Sequence, residues 1–263
     1  MTTKLFSGHR KVLFGVVHLG PLPGSPRWRG NLDAVIKQAL DDARAYERGG
    51  AHALFIENFG DIPFTKGRVG PETVAGLAAA GCAIRDAVKL PLGFNVLRND
   101  VCAGLALCAA CGGSFVRVNV HTGAMITDQG IIEGNAHETL RYRERVCPGA
   151  LIFADVQVKH AVPLGDCPIE IAARDTLDRG LADALIISGM GTGEPTRLTE
   201  VERVRRACPA ARILLGSGVT AGNVGLYLAK ADGFIVGTSL KRDGQVNRPV
   251  DVKRVAALAR RIE

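Results

Sequence analysis

The chain has 263 residues, 47% of them hydrophobic and 5% aromatic, and its 33 basic against 26 acidic side chains give a net charge of +7. This is the composition of a compact globule; no apolar run approaches the roughly 18 residues of a membrane helix, and a single Trp with no nucleic-acid motif argues against a nucleic-acid partner. Seven scattered cysteines point to reduced thiols rather than a secreted disulfide framework. The N-terminal stretch MTTKLFSGHRK lacks a signal-peptide core, so a cytoplasmic location is expected. No linker or change of composition divides the chain, which predicts a single domain over residues 1–263.

Taken in chain order, period and punctuation give eight strand-then-helix units. The first strand is expected in VLFGVVHL from Val12, followed by a helix capped by Asn31, with Leu32, Val35, Ile36, Ala39, Ala43 and Tyr46 on one face and Gly49 and Gly50 at its end. ALFIENF from Ala53 is the second strand, and Pro71 suits the first turn of the helix after it. LGFNVL from Leu92 precedes the helical run VCAGLALCAACGG, in which Cys108 and Cys111 read as small buried residues of a helix face. SFVRVNV from Ser114, LIFADVQV from Leu151, ADALIISG from Ala182, RILLGSG from Arg212 and DGFIVGT from Asp232 complete the set. In VERVRRAC and VKRVAALARRI, basic and apolar residues alternate at helical spacing, which predicts solvated outer faces. The same charge leaves open an attraction to anionic substrates or peripheral contact with an anionic membrane surface. Eight βα units predict an α/β fold, a closed (β/α)8 TIM barrel, with an open doubly wound sheet as the alternative.

Connections into strands are short (GGAH, KLP, PGA), whereas HLGPLPGSPRWRG, ENFGDIPFTKGRVG and HTGAMITDQGIIEGN leave strands and are long. In a barrel the long set lies at the C-terminal face, where active sites sit. The 121–135 segment, with Gly123, Gly130 and Gly134, is either a lid or a fixed surface loop. Strand ends supply His18, Glu57, Asn95, Arg117, Asn119, Asp155, Gln157, Ser188, Ser217 and Thr238. Arg117 shares a strand parity with Asn119, as Asp155 does with Gln157 and Lys159, so these polar side chains should enter the barrel mouth while the intervening valines face the helices.

Charges there need partners or a ligand. Arg117 is expected to meet Asp155 or Glu57, either as a structural ion-pair network or as part of a proton-transfer site in which Asp155 and Glu57 are the acid and base candidates. Lys159 could pair with a phosphate or carboxylate, or form a Schiff base if desolvated. His18 and His160, with Glu57 and Asp155, could collect a divalent metal, but without compact HxH or HExxH spacing no metal or other cofactor is expected. The clearest anion feature is a pair of glycine turns, GSGVT with Gly216, Ser217 and Gly218, and VGTSL with Gly237 and Thr238, each at a strand exit. Such turns gather backbone N–H groups around one point, as a phosphate requires, with Asn223 and Arg242 nearby in sequence. SGMGTGEP, with Gly189, is a further candidate nest. Asn95, Asn119, Gln157, His160 and Ser188 are candidate substrate contacts.

HLGPLPGSP, ENFGD, NVLRND, RVNVHTGAMITDQGIIEG, ADVQVKH, GSGVT and DGFIVGTSLKRDG resemble successive sequence blocks of the BtpA family, which includes SgcQ-like proteins, over almost the whole chain from about Lys11 to Arg254. The resemblance implies a TIM barrel of the ribulose-phosphate-binding group, related to phosphoribosylanthranilate isomerase and the tryptophan synthase α-subunit. In those isomerases a cysteine ends the first strand and an aspartate the fifth; here the same neighbourhoods hold His18 and Asp155, and the Cys-to-His departure does not carry the Amadori-type reaction over. Together the residues and the resemblance lead to an expected enzyme that isomerises, epimerises or cleaves a phosphorylated sugar or related phosphometabolite. The alternatives are a non-catalytic biogenesis or stability factor for a membrane complex of the photosystem I kind, as the family's name implies, and a phosphometabolite sensor without turnover. A homo-oligomer is expected, since barrels often pair.

Overall fold

The computed structural model describes residues 5–6 and 11–262, so most of the stretch MTTKLFSGHRK, with its expected lack of a targeting signal, lies outside the described residues. In chain order the elements are β1 (Val12–His18), α1 (Leu32–Arg48), β2 (Ala53–Glu57), α2 (Pro71–Ala87), β3 (Leu92–Asn95), α3 (Val101–Cys111), β4 (Phe115–Val118), β5 (Ala124–Thr127), β6 (Gly130–Glu133), α4 (Ala136–Val146), β7 (Leu151–Asp155) and β8 (Ala161–Pro163). They continue with α5 (Ile169–Arg174), β9 (Ala184–Ile187), α6 (Leu198–Ala207), β10 (Ile213–Leu215), β11 (Gly233–Val236) and α7 (Val252–Ile262). Eight strands close into a parallel barrel in the order β1-β11-β10-β9-β7-β4-β3-β2. The closed (β/α)8 barrel expected from the eight units is therefore the fold.

Local chemistry sets the helix limits. Asn31 accepts a hydrogen bond from the Ala34 N–H at 2.9 Å, capping α1, and Pro71 occupies the first turn of α2, where its missing N–H costs nothing. The basic helices α6 and α7 bury only an apolar stripe, Val201 and Val204 in one and Val255, Leu258, Ala259 and Ile262 in the other. No helix of the described residues is long and apolar enough to cross a membrane.

Strand alternation divides the core in two. Outward residues such as Leu13, Val17, Leu54, Ile56, Val116, Val118, Leu185 and Leu215 pack against the helices. Inward residues fill the barrel, where Phe14, Phe55, Phe115 and Phe153 pack as one block, Phe115 lying 4.8 Å from Phe55 and 5.3 Å from Phe153 between ring centroids. Burying each ring stabilises the fold by about 1.5–3 kcal/mol. Gly93 makes the block possible, because a Cβ there would overlap the Phe115 ring.

The backbone refines one expectation and corrects two. The 121–135 segment, expected as a lid or a fixed surface loop, holds the hairpin β5–β6, which β8 joins as a third antiparallel strand. Met125 and Ile132 point inward from it and pack with Val120 and Val158, so those two valines sit beneath the hairpin and not against the helices. The fifth barrel strand also ends at Asp155, so the alternation that would carry Gln157 into the mouth has already stopped.

The seam between the first and last βα units is closed by charge. Lys241, after β11, donates to Asp42 of α1 at 2.6 Å, and Asp42 also accepts from the Val250 N–H at 2.7 Å; the two side chains are 1% and 2% exposed. Removing one partner strands the other in a low-dielectric site. Lys241→Met is expected to lower stability by about 3 kcal/mol, read as a shift of the chemical unfolding midpoint, with much of the loss recovered in Asp42→Leu/Lys241→Met.

Candidate functional site

Following each strand inward to its C-terminal end gives His18, Glu57, Asn95, Arg117, Asp155 and Ser188 on six strands and Gly216 and Gly237 on the remaining two. His18, Glu57 and Asn95 are direct register partners on β1, β2 and β3, so they stand side by side. The barrel thus ends in a polar layer with a gap on the glycine side.

Arg117 and Asp155 form the centre of that layer. The guanidinium donates through Nε to Oδ2 and through Nη2 to Oδ1 of Asp155, both at 2.8 Å, in the two-pronged geometry that suits a carboxylate. Asn119 Nδ2 donates to Oδ2 at 3.1 Å and Ser188 Oγ to Oδ1 at 3.2 Å. The side chains are 3% and 0% exposed. Burial works against the Arg117 charge, but Asp155 and then Glu57 outweigh it and hold its pKa above the ordinary arginine value.

Around this centre lie two adjoining cavities. The first, about 290 Å³, lies over the glycine side and is lined by His18, Glu57, Arg117, Lys159, the 216–220 loop, residues 235–239 and Arg254. The second, about 420 Å³, is lined by Glu57, Asn95, Arg117, Asn119, Lys159 and His160 on its polar side and by Phe59, Ile62, Pro63, Phe64, Leu97 and Val158 on its apolar side. Glu57, Arg117, Lys159 and Thr192 belong to both, so the two spaces form one mouth divided by charged groups.

The first cavity has the features of an anion site. Thr238 and Ser239 open a 3-10 turn, Thr238–Leu240, whose first bonds are made by the N–H groups of Leu240 and Lys241, leaving the two earlier N–H groups outside the turn's own bonding. Gly218 has φ of +67°, and a Cβ there would overlap the Glu194 carbonyl; Asn223 fixes the same loop by donating to Gly218 O at 2.9 Å and accepting from Thr220 N–H at 2.8 Å. Arg254, from α7, donates to Ser239 O at 3.3 Å beside these turns.

The charged groups differ in how well they are satisfied. Glu57 is buried and lines both cavities, and among the described residues no hydrogen bond or ion pair of its carboxylate occurs. The same holds for the Lys159 ammonium, whose pKa is lowered by burial and by Arg117, against the opposing pull of Glu57 and Asp155. His18 is held well below the usual histidine value by burial and then by Lys241 and Lys159, which keeps its ring neutral at pH 7; it lies 4.5 Å from the Phe59 ring between centroids, and its buried Nδ1 has no partner. Asn95 Oδ1 and Asn119 Oδ1 are likewise buried and unpaired. Unsatisfied buried acceptors gathered at one mouth suit a ligand that brings donors.

Other expected site residues lie elsewhere. Gln157, at φ of +54°, turns away and donates to Cys167 O at 2.6 Å. Ser188 is spent on Asp155, and the Gly189 N–H on Ser217 Oγ at 2.7 Å, so neither lines the two cavities. Ser217 lines the first cavity, but its hydroxyl also donates to Glu194 O at 3.1 Å. His160, exposed and bonded to Thr192, borders the second cavity while His18 borders the first, so the imagined two-histidine metal set does not converge. Among the described residues no group of three or more His, Cys, Asp or Glu is placed to hold a metal ion. Arg242 lines neither cavity.

Sequence reading passed over Arg98, Phe59, Phe64 and Arg254. Arg98 is buried and donates to Lys159 O at 2.7 Å and to Asp128 at 3.0 Å, strapping the loop after β3 to the hairpin and to the segment carrying Lys159. The two Phe residues sit in the long loop ENFGDIPFTKGRVG, whose length was the available signal.

A family model described as the BtpA family matches residues 9–263. The photosystem I biogenesis protein BtpA of Synechocystis sp. is 47% identical over 252 residues, covering 96% of this chain and 88% of that protein. The chain therefore belongs to the BtpA family. Among solved structures, tryptophan synthase from M. tuberculosis superposes with a TM-score of 0.66 at 16% identity, covering 100% of this chain and 99% of that one. Phosphoribosyl anthranilate isomerase from Thermus thermophilus gives 0.58 at 15% identity, covering 95% and 97%. At such identities the likeness is one of fold.

Because four donors converge on Asp155, its charge is what permits the buried Arg117. Asp155→Asn is expected to cost about 3–5 kcal/mol of stability, measured by chemical unfolding, as an unpaired buried guanidinium should.

Proposed function

We propose that this BtpA-family barrel is an enzyme acting on a phosphorylated small metabolite, moving a proton in an isomerisation, epimerisation or cleavage. The observation that carries the reading is the contrast between a self-satisfied pair, Arg117 with Asp155, and two unpartnered groups beside it, Glu57 and Lys159, lining both cavities. A structural plug would pair all four.

Phosphate binds in the first cavity, on backbone N–H groups of residues 217–219 and of Thr238 and Ser239, with Arg254 at the rim. Glu57 is the base, with oxygens free to take a proton from carbon or hydroxyl. Lys159, cationic as the catalytic state begins, stabilises the enolate or oxyanion that forms. Asp155, its lone pairs occupied, positions Arg117 instead of carrying the proton. Neutral His18 offers a hydrogen bond to the substrate without competing for the phosphate.

A second reading rests on the Synechocystis relative, whose name assigns it to photosystem I biogenesis. In that case this barrel would serve a membrane complex through its basic outer helices, and the mouth would need no chemistry.

Proton exchange separates the two. Sugar phosphates incubated with the protein in D2O and followed by proton NMR should lose a carbon-bound proton signal, and Glu57→Gln should slow that loss by about 10²–10⁴-fold while leaving ligand binding in place. A Glu57→Gln variant that exchanges as fast as the parent contradicts the assigned base; a panel with neither binding nor exchange favours the assembly reading.

A further inference from the structure

The second cavity has features that proton transfer alone does not use, and its assignment rests on the phosphate site proposed for the first. The space is larger than its neighbour, and apart from the mutually paired Arg98 and Asp128 and the rim residue His160 its surplus wall is largely apolar. Phe59, Ile62, Pro63 and Phe64 come from the loop after β2, Leu97 from the loop after β3 and Val158 from the segment after β7. The rings of Phe59 and Phe64 lie 6.5 Å apart between centroids and tilted by 54°, and the His18 ring lies 4.5 Å from Phe59, so a chain of aromatic side chains runs from the first cavity into the second.

The two guanidinium groups of this cavity are already engaged. Arg117 is committed to Asp155, and Arg98 to Asp128 and to the carbonyls of Lys159 and His160. Lys159 stands at the junction and is shared with the phosphate side. Beyond Lys159, two buried amide oxygens remain unpaired. Asn119 Nδ2 faces a carboxylate, which fixes the amide orientation and leaves Oδ1 buried without a donor. Asn95 Oδ1 is buried and unpaired as well. Such acceptors are expensive to leave unmet, so they select a ligand that brings N–H or O–H donors.

We infer that the substrate is bipartite: a sugar phosphate, its phosphate in the first cavity, carrying at the other end a planar and mostly apolar ring with donor groups that lies along Phe59 and Phe64 and hydrogen-bonds to Asn95 and Asn119. The charged junction of Glu57, Arg117 and Lys159 then falls on the sugar between the two ends, where bonds and protons would change. A bare pentose or triose phosphate would leave the apolar wall wet and both amide oxygens unsatisfied. The paired geometry also explains why the loop after β2 is long: its aromatic residues have to reach over the mouth to supply one wall.

Isothermal titration with inorganic phosphate, ribose 5-phosphate and the four nucleoside monophosphates UMP, CMP, AMP and GMP tests this. At least one ring-bearing phosphate should bind tenfold or more tighter than ribose 5-phosphate, and Phe64→Ala should erase that advantage while leaving inorganic phosphate affinity unchanged. Phe64 is only half-buried, so the variant is expected to fold, and Asn95→Leu provides a second that removes an acceptor with no bond to lose. Ring-bearing ligands no tighter than ribose 5-phosphate, or an advantage that survives both variants, would overturn the inference while leaving the phosphate site standing. Arg254→Ala reports on the phosphate end separately: if it leaves every affinity unchanged, the reading of the first cavity fails instead.

Discussion

A parallel barrel forces every second residue of eight strands toward one axis, and at the C-terminal end of this barrel that axis meets charge. The Arg117–Asp155 pair is how the fold meets that constraint. Two charges with side chains 3% and 0% exposed are tolerable only because each satisfies the other in two-pronged geometry and because Asn119 and Ser188 fill the remaining acceptor positions. With that pair mutually satisfied, Glu57 and Lys159 beside it are left to face the cavities with their bonding capacity unspent.

The asymmetry of the floor then decides what each side can hold. Where the seventh and eighth strands end in Gly216 and Gly237, no side chain enters; a Cβ at Gly216 would press on Ser188 and on the Arg117 guanidinium, and one at Gly237 on His18. The resulting space brings backbone turns and cations together. On the opposite side, asparagines and a wall of loop aromatics take over. Arg98 ties that second side to the β5–β6 hairpin through Asp128 and to the segment carrying Lys159.

Much of this was legible in the chain. Alternation and glycine punctuation place the eight strands because a closed barrel admits a single inward parity, and runs such as SFVRVNV declare it: Phe115 and Arg117 inward, Val116 and Val118 outward. Parity leaves Arg117 to meet either Asp155 or Glu57, and the pairing of β4 with β7 selects Asp155. Legibility ends where regular backbone ends. Gln157 shares the parity of Asp155 but lies beyond the strand, at a positive φ that alternation does not describe. Ser217 and Gly189 appear as separate site candidates, yet they bond to each other, a contact between loops 28 residues apart that no local pattern encodes. Phe64, Arg98 and Arg254 reach the mouth from a loop or a distant helix, and only the fold brings them there.

The central claim is that the glycine side of the mouth is built to hold a phosphate-like oxyanion. Crystals soaked in selenate and measured at the selenium edge test it most directly. An anomalous peak between the turns at Gly218 and Thr238, within hydrogen-bond reach of their N–H groups and displaced by phosphate, is the predicted result. Ordered density for both turns with no peak between them, or selenium only on the outer helices, would contradict the account.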